Sequence, residues 1–227
     1  MIKRKGNYME VQIKISADAY IFDFDGTLVD SMPMWTGKML SILEENKIKY
    51  PKDIIRTITP LGDQKTAEYF VKQLGVPLSV EEIRKQMDEY ALYAYAHTIQ
   101  AKETAIETIR TLRKKKYRLA ILTASPHKMV DDCLKRLGLF DLFDKIWTSE
   151  DFNLTKVDPE IYRLAANEID VPIEKCVLAD DSIGALKTAK KAGMKIIGVY
   201  DKSAEEYEDE IREISDLYVT RLKDIFF

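Results

Sequence analysis

Cysteine is scarce in this chain: two residues, Cys133 and Cys176, among 227. They fall in a helical and a strand pattern respectively, without CxxC spacing. That excludes a disulfide framework and reads as two reduced, buried or half-buried thiols in a cytoplasmic protein. Histidine is as sparse. His97 and His127 are read as lacking a metal-ligating partner three or four residues on, hence as ordinary side chains. No apolar stretch is long enough to span a bilayer, and Val11-Gln12-Ile13-Lys14-Ile15 alternates, so neither a secretory signal nor a transmembrane span is expected. The net charge of −3 gives no reason to expect nucleic acid or a membrane surface as partner. Lys3-Arg4-Lys5 and Lys114-Lys115-Lys116 read as solvated runs. Internal repeats and low-complexity segments are missing as well. The length suits one large core, or a core with a small second domain.

What is present begins with Asp23-Phe24-Asp25-Gly26-Thr27, closing the apolar run Ala19-Tyr20-Ile21-Phe22. In an extended chain residues i and i+2 share a face, so both carboxylates should converge at the strand end. At ~5 Å and an effective dielectric of ~20 they would repel by roughly 3 kcal/mol. A cation between them, or a proton on one, relieves that repulsion; the plain alternative is a solvated Asp-Gly turn. A second run, Tyr117 to Leu122, ends in Thr123-Ala124-Ser125. Lys156 follows, ahead of Asp158-Pro159-Glu160 at a helix start, and Cys176 to Ala179 ends in Asp180-Asp181. In an open parallel sheet such strand ends line the ligand crevice, so these groups should meet. Acids suit a hard cation, and hydroxyl with ammonium suits phosphoryl oxygens.

This ordered set resembles the haloacid dehalogenase superfamily, in its branch of β-phosphoglucomutase and small sugar-phosphate phosphatases. The likeness runs from about Tyr20 to about Val219. The family's Asp-x-Asp-Gly-[Thr/Val] stands as Asp23 to Thr27, and its strand-ending hydroxyl as Thr123. Its lysine motif stands as Lys156-Val157-Asp158-Pro159-Glu160-Ile161-Tyr162, with Val157 in place of the usual proline. Its acidic motif stands as Asp180-Asp181-Ser182-Ile183-Gly184, followed by Ala192-Gly193-Met194.

The resemblance implies an α/β fold: a Rossmann-like parallel sheet with helices on both faces (1–32 and 99–227) and an inserted all-helical cap (33–98). The strand–helix alternation agrees with it. From Met34 to about Thr98 no strand is evident; Trp35, Met39, Ile42 and Leu43 keep helical spacing, as do Val80, Ile83, Met87, Tyr90, Ala94 and Tyr95. Ser79 and Glu82 form a capping-box signature, and breaks fall at Thr59-Pro60-Leu61-Gly62-Asp63 and Gly75-Val76-Pro77. Tyr90, Tyr93 and Tyr95 are expected to pack the helical block. Helices are expected over Glu103 to Lys116, Met129 to Leu137 and Ile183 to Lys191. Ser182 is expected to cap the last of these.

By the same resemblance Asp23 is the nucleophile, forming an aspartyl phosphate, and Asp25 the general acid and base. Mg²⁺ would be held by Asp23, the backbone carbonyl of Asp25, Asp180 and Asp181. Thr123, Ala124 and Lys156 would bind the transferring phosphoryl group. Lys65 falls where relatives carry a substrate-reading loop, and an ordinary surface lysine is the alternative reading. The implied protein is a monomeric, Mg²⁺-dependent phosphatase for a small phosphorylated metabolite, a sugar phosphate first. A phosphomutase is the nearest rival, although relatives of that type place histidine where this chain has Trp35. A phosphoryl-receiver module is the rival from another class, but its motifs run in another order. A metal-free dehalogenase lacks the acid at Asp25.

Overall fold

The computed structural model describes residues 14–58 and 61–226. The Lys3-Arg4-Lys5 run, the Val11 to Ile13 part of the alternating segment, and Thr59 and Pro60 lie outside them. Six parallel strands form one sheet in the order β3-β2-β1-β4-β5-β6. They are β1 (Ala19–Phe22), β2 (Arg118–Thr123), β3 (Lys145–Thr148), β4 (Cys176–Asp180), β5 (Lys195–Val199) and β6 (Leu217–Val219). Apart from their end residues the central strands are apolar, because both sheet faces are covered. On β1 the period of two divides the chain cleanly: Tyr20 and Phe22 enter the apolar cluster on one face, Ala19 and Ile21 that on the other.

Helices α1 (Met32–Glu45), α2 (Ile54–Ile58), α3 (Gly62–Lys72) and α4 (Val80–His97) follow β1 as one block. They have an apolar cluster of their own, built on Ile42, Leu43, Ile54, Ile58, Phe70, Ile83 and Met87. The capping box forms as expected: Glu82 N donates to Ser79 Oγ at 3.1 Å and Ser79 N to Glu82 Oε2 at 2.7 Å. The aromatic residues of α4 divide differently from expectation. Tyr95 is fully buried, whereas Tyr90 and Tyr93 are 46% and 61% exposed. The inward stripe runs through Met87, Ala91 and Ala94, leaving Tyr90 at its margin with the Lys38 ammonium 5.6 Å above its ring. No helix among the described residues is long and apolar enough to cross a membrane.

The remaining helices are α5 (Ala105–Lys114), α6 (His127–Leu137), α7 (Ser149–Phe152), α8 (Pro159–Glu168), α9 (Ile183–Ala192) and α10 (Glu208–Ile214). Helix α5 is shorter than its pattern because Thr104 and Lys116, at φ +67° and +65°, bound it in left-handed conformation. The two linkers between block and core pair with each other: Asp30 N donates to Gln100 O at 2.9 Å, and Val29 bridges Ala101.

Register brings the ends of β1, β2 and β4 level, Phe22 lying opposite both Ile121 and Ala179. Next along the sheet, Asp180 pairs with Gly198. A Cβ at Gly198 would stand 2.5 Å from Ile211 Cγ2 and 2.7 Å from Ser215 Oγ. Gly198→Ala should therefore destabilise the fold by about 1–3 kcal/mol through overpacking, lowering Tm by about 2–4 °C per kcal/mol. Thermal denaturation followed by circular dichroism reads the change.

Candidate active site

Each sheet strand that ends near the centre delivers one functional segment. Asp23 follows β1, its amide still donating to Ala179 O at 2.9 Å. Asp180 ends β4 and Asp181 follows it. Lys156, from the loop before α8, places its ammonium between Asp23 Oδ1 and Asp180 Oδ2, the latter at 2.8 Å. Ser182 N donates to the other Asp180 oxygen at 2.8 Å. The capping expectation is corrected: Ser182 occupies the cap position of α9 but its side chain makes no capping bond. Thr27 Oγ1 donates to Asp181 Oδ1 at 3.0 Å. Gly26, at φ +77°, lies flat against the same carboxylate, and a Cβ there would come within 2.6 Å of Asp181 Oδ2. Only glycine meets both conditions.

The two acids of the first motif enter separate environments. Asp23 is paired with Lys156. The Asp25 carboxylate is held by three hydroxyls: Ser31 Oγ and the Tyr95 phenol donate to Oδ1, and Ser125 Oγ donates to Oδ2, the two serines at 2.6 Å. Thr123 ends β2 and is buried; its Oγ1 accepts from Ser125 N at 3.1 Å. Ala124 is exposed beside it. Lys65 is exposed on α3, where its neighbours in a shallow depression are Leu61, Glu68, Tyr69, Lys72 and Gln73 rather than the acids.

Several participants escaped the sequence reading. Tyr95 reaches Asp25 from the helical block, and Trp35 Nε1 donates to its hydroxyl at 3.2 Å. The available signal was chemical: a buried tyrosine, unlike a phenylalanine, needs a partner for its hydroxyl. Lys102, just past the block, spends all three ammonium protons on Gly26 O, Tyr200 O and Asp201 Oδ2, at 2.7, 2.6 and 2.9 Å. His127 is also less ordinary than expected: it bridges Asp131 and Asp151 at 3.1 and 2.9 Å. These two carboxylates occupy opposite ring nitrogens, so the trio is a staple rather than a shared metal site.

Electrostatics set the central acids against one another. Burial, with Asp180 and Asp25 adding repulsion against the pull of Lys156, raises Asp23 from 3.8 to about 7. Burial and the charges of Asp23, Asp180 and Asp201 hold Asp181 well above its ordinary value. For Lys156 burial alone would lower the pKa, but Asp180 and Asp23 outweigh it and raise it. Asp23, Asp180 and Asp181 each offer one oxygen, all within 4.8 Å of one another. Three buried, mutually repelling carboxylates form a donor set fitted to a hard divalent cation.

A pH dependence follows. With Asp23 and Asp181 raised, the metal-free native state binds more protons than the unfolded chain between about pH 4 and pH 7. Their contribution is therefore present at low pH and lost as pH rises through the folded values. In excess chelator at pH 7.5, Asp181→Asn should melt above the wild type by about 2–4 °C, on the order of 1 kcal/mol, with the gap closing toward pH 5. A wild type at least as stable as the variant at pH 7.5 would show that the acids do not strain one another.

Comparison with known proteins agrees with this geometry. The family model described as "Haloacid dehalogenase-like hydrolase" matches residues 20–199. The chain is 28% identical over 183 residues to the phosphorylated carbohydrates phosphatase of Thermotoga maritima, covering 80% of this chain and 85% of that one. It is 25% identical over 205 residues to the phosphoglycolate phosphatase of Psychrobacter arcticus, covering 86% and 87%. Its fold superposes on the crystal structure of CbbY from Rhodobacter sphaeroides in complex with phosphate, with a TM-score of 0.76, 22% identity and coverage of 92% and 96%. The motif acids, the lysine between them and the match over most of the chain lead to one assignment: this protein belongs to the haloacid dehalogenase-like hydrolases.

Proposed function

We propose that this protein is a Mg²⁺-dependent phosphatase that hydrolyses a small phosphate monoester, a sugar phosphate foremost, through an aspartyl phosphate on Asp23. The observation that carries the reading is the Lys156 ammonium set between Asp23 and Asp180, beside a separately anchored Asp25. The likeness to a phosphorylated carbohydrates phosphatase supports the sugar-phosphate class. In this reading residues 33–98 are the cap over a core of 1–32 and 99–227, and the protein acts as a cytoplasmic monomer.

A divalent cation held by Asp23, Asp180, Asp181 and the Asp25 backbone carbonyl would supply charge that screens the nucleophile from the anionic substrate. The residues do the rest. Lys156 and Thr123 bind the phosphoryl oxygens, with Lys156 also keeping Asp23 oriented. A carboxylate oxygen of Asp23 attacks phosphorus, and the bond to the ester oxygen breaks. The proton on Asp25 passes to that departing oxygen. Asp25, now a carboxylate, takes a proton from water as the water oxygen attacks the phosphorus. Inorganic phosphate leaves and the Asp23 carboxylate is restored. Lys65 has no part in these steps.

Hydrolysis of a panel of phosphorylated metabolites should require Mg²⁺ and stop on chelation. Asp23→Ala and Asp181→Ala should each lose nearly all turnover while remaining folded by circular dichroism. Full activity in excess chelator would remove the metal assignment.

Asp25→Asn should slow phosphoryl transfer from alkyl phosphates by ~10²–10⁴, the usual worth of positioned acid–base catalysis. Activated aryl phosphates, whose leaving groups need no proton, should be slowed less. Rapid quench after a single turnover measures both, and equal alkyl rates in wild type and variant would refute the acid–base role.

A further inference from the structure

Asp25 is the central acid whose carboxylate is held by three hydroxyl groups, and those hydroxyls are unevenly shared. Oδ1 accepts two, from Ser31 and Tyr95, while Oδ2 accepts one, from Ser125. Two donors fill the lone pairs of Oδ1, whereas Oδ2 keeps one free. The directions are set by chemistry. An indole N–H can only donate, so Trp35 Nε1 occupies a lone pair of the Tyr95 oxygen and turns the phenolic proton toward Asp25. The Tyr95 ring stacks on Phe24, centroids 6.1 Å apart, and its backbone carbonyl accepts from Arg136 Nη2 at 3.1 Å. The phenol is thereby held at its backbone, its face and its oxygen. Ser125, the partner of Oδ2, lies in the loop that follows Thr123 and donates its amide to the Thr123 hydroxyl.

We propose that Tyr95, aimed by Trp35, is a positioning residue that makes Oδ1 of Asp25 the anchored oxygen and Oδ2 the one that exchanges the proton. The inference rests on the reading of Asp25 as general acid and base. Oδ2 faces the loop that follows Thr123, where the phosphoryl group is bound in that reading, and it has the free lone pair the proton needs. Oδ1 has neither. Trp35 and Tyr95 stand on the first and last helices of the cap, 60 residues apart in sequence, so the orientation of the acid depends on both. A small angular release of Asp25 matters because misplacing a catalytic group by about 1 Å can cost ~10²-fold in rate.

The test compares single-turnover rates of phosphoryl transfer to Asp23 from an alkyl and an activated aryl phosphate, in Mg²⁺. Tyr95→Phe removes only the hydroxyl, and it should lower the alkyl-to-aryl rate ratio about tenfold, with KM for the alkyl ester changed by less than about twofold. Trp35→Phe keeps a ring but removes the N–H, and should lower the ratio in the same sense by less. Because Trp35 acts through the phenol, the double variant should match Tyr95→Phe alone. Asp25→Asn, run alongside, separates the two readings. If Asp25→Asn leaves the ratio at the wild-type value, the acid–base role itself fails. If Asp25→Asn lowers the ratio and Tyr95→Phe does not, only the assignment of Tyr95 is overturned. Equal loss on both esters, or additive losses in the double variant, would likewise reduce Tyr95 and Trp35 to packing residues.

Discussion

Everything near the strand ends is arranged around one constraint: several carboxylates must share a small buried volume. Lys156 answers most of it by standing between Asp23 and Asp180. Its effect is incomplete, since Asp23 is still raised to about 7 and Asp181 lies well above its usual value. The fold thus holds an excess of buried negative charge that a divalent cation is suited to offset. The same repulsion explains why Asp25 is removed to a site of its own, where hydroxyls rather than charges stabilise it.

The parallel sheet makes that gathering possible. Strands β1, β2 and β4 are neighbours in space though separated by long stretches of chain, and their level ends bring three segments to one place. Buried, apolar strands leave little freedom to slip in register. Gly26 adds a second fixed point, since its left-handed turn against Asp181 admits no side chain. Placement to within ångströms is therefore achieved by backbone geometry before any side chain adjusts.

How much of this could be read from the residues depended on whether the signal was local. Asp23, Thr123, Asp180 and Asp181 each follow or end an apolar run, so a shared place at the strand ends was readable locally, while Lys156, in the loop ahead of α8, was marked by its motif. The capping box at Ser79 and Glu82 was equally local. Tyr95 was not: its spacing on α4 is that of an apolar stripe, and nothing in the period marks a hydroxyl aimed at an acid 70 residues earlier in the chain. Lys102 resembles a surface lysine until the loops of Gly26 and Tyr200 close around it. Helix α5 fell short of its pattern because left-handed backbone at Thr104 and Lys116 carries no compositional mark.

The pairing of the two linkers bears on how the helical block can move. Val29 and Asp30 lie against Ala101 and Gln100 as a short two-stranded ribbon, and Lys102 ties the foot of that ribbon to the core through three acceptors. Two separate single-chain hinges would let a block twist, tilt and slide. A ribbon of paired strands bends readily across its flat face but resists shear in its plane, because shear would break the bonds between its strands. The last turn of α4 is fixed from the other side as well, because Arg136 on α6 donates to the backbone carbonyls of Tyr95 and Ile99. The segment that brings Tyr95 to Asp25 therefore packs as part of the core rather than as a loose flap.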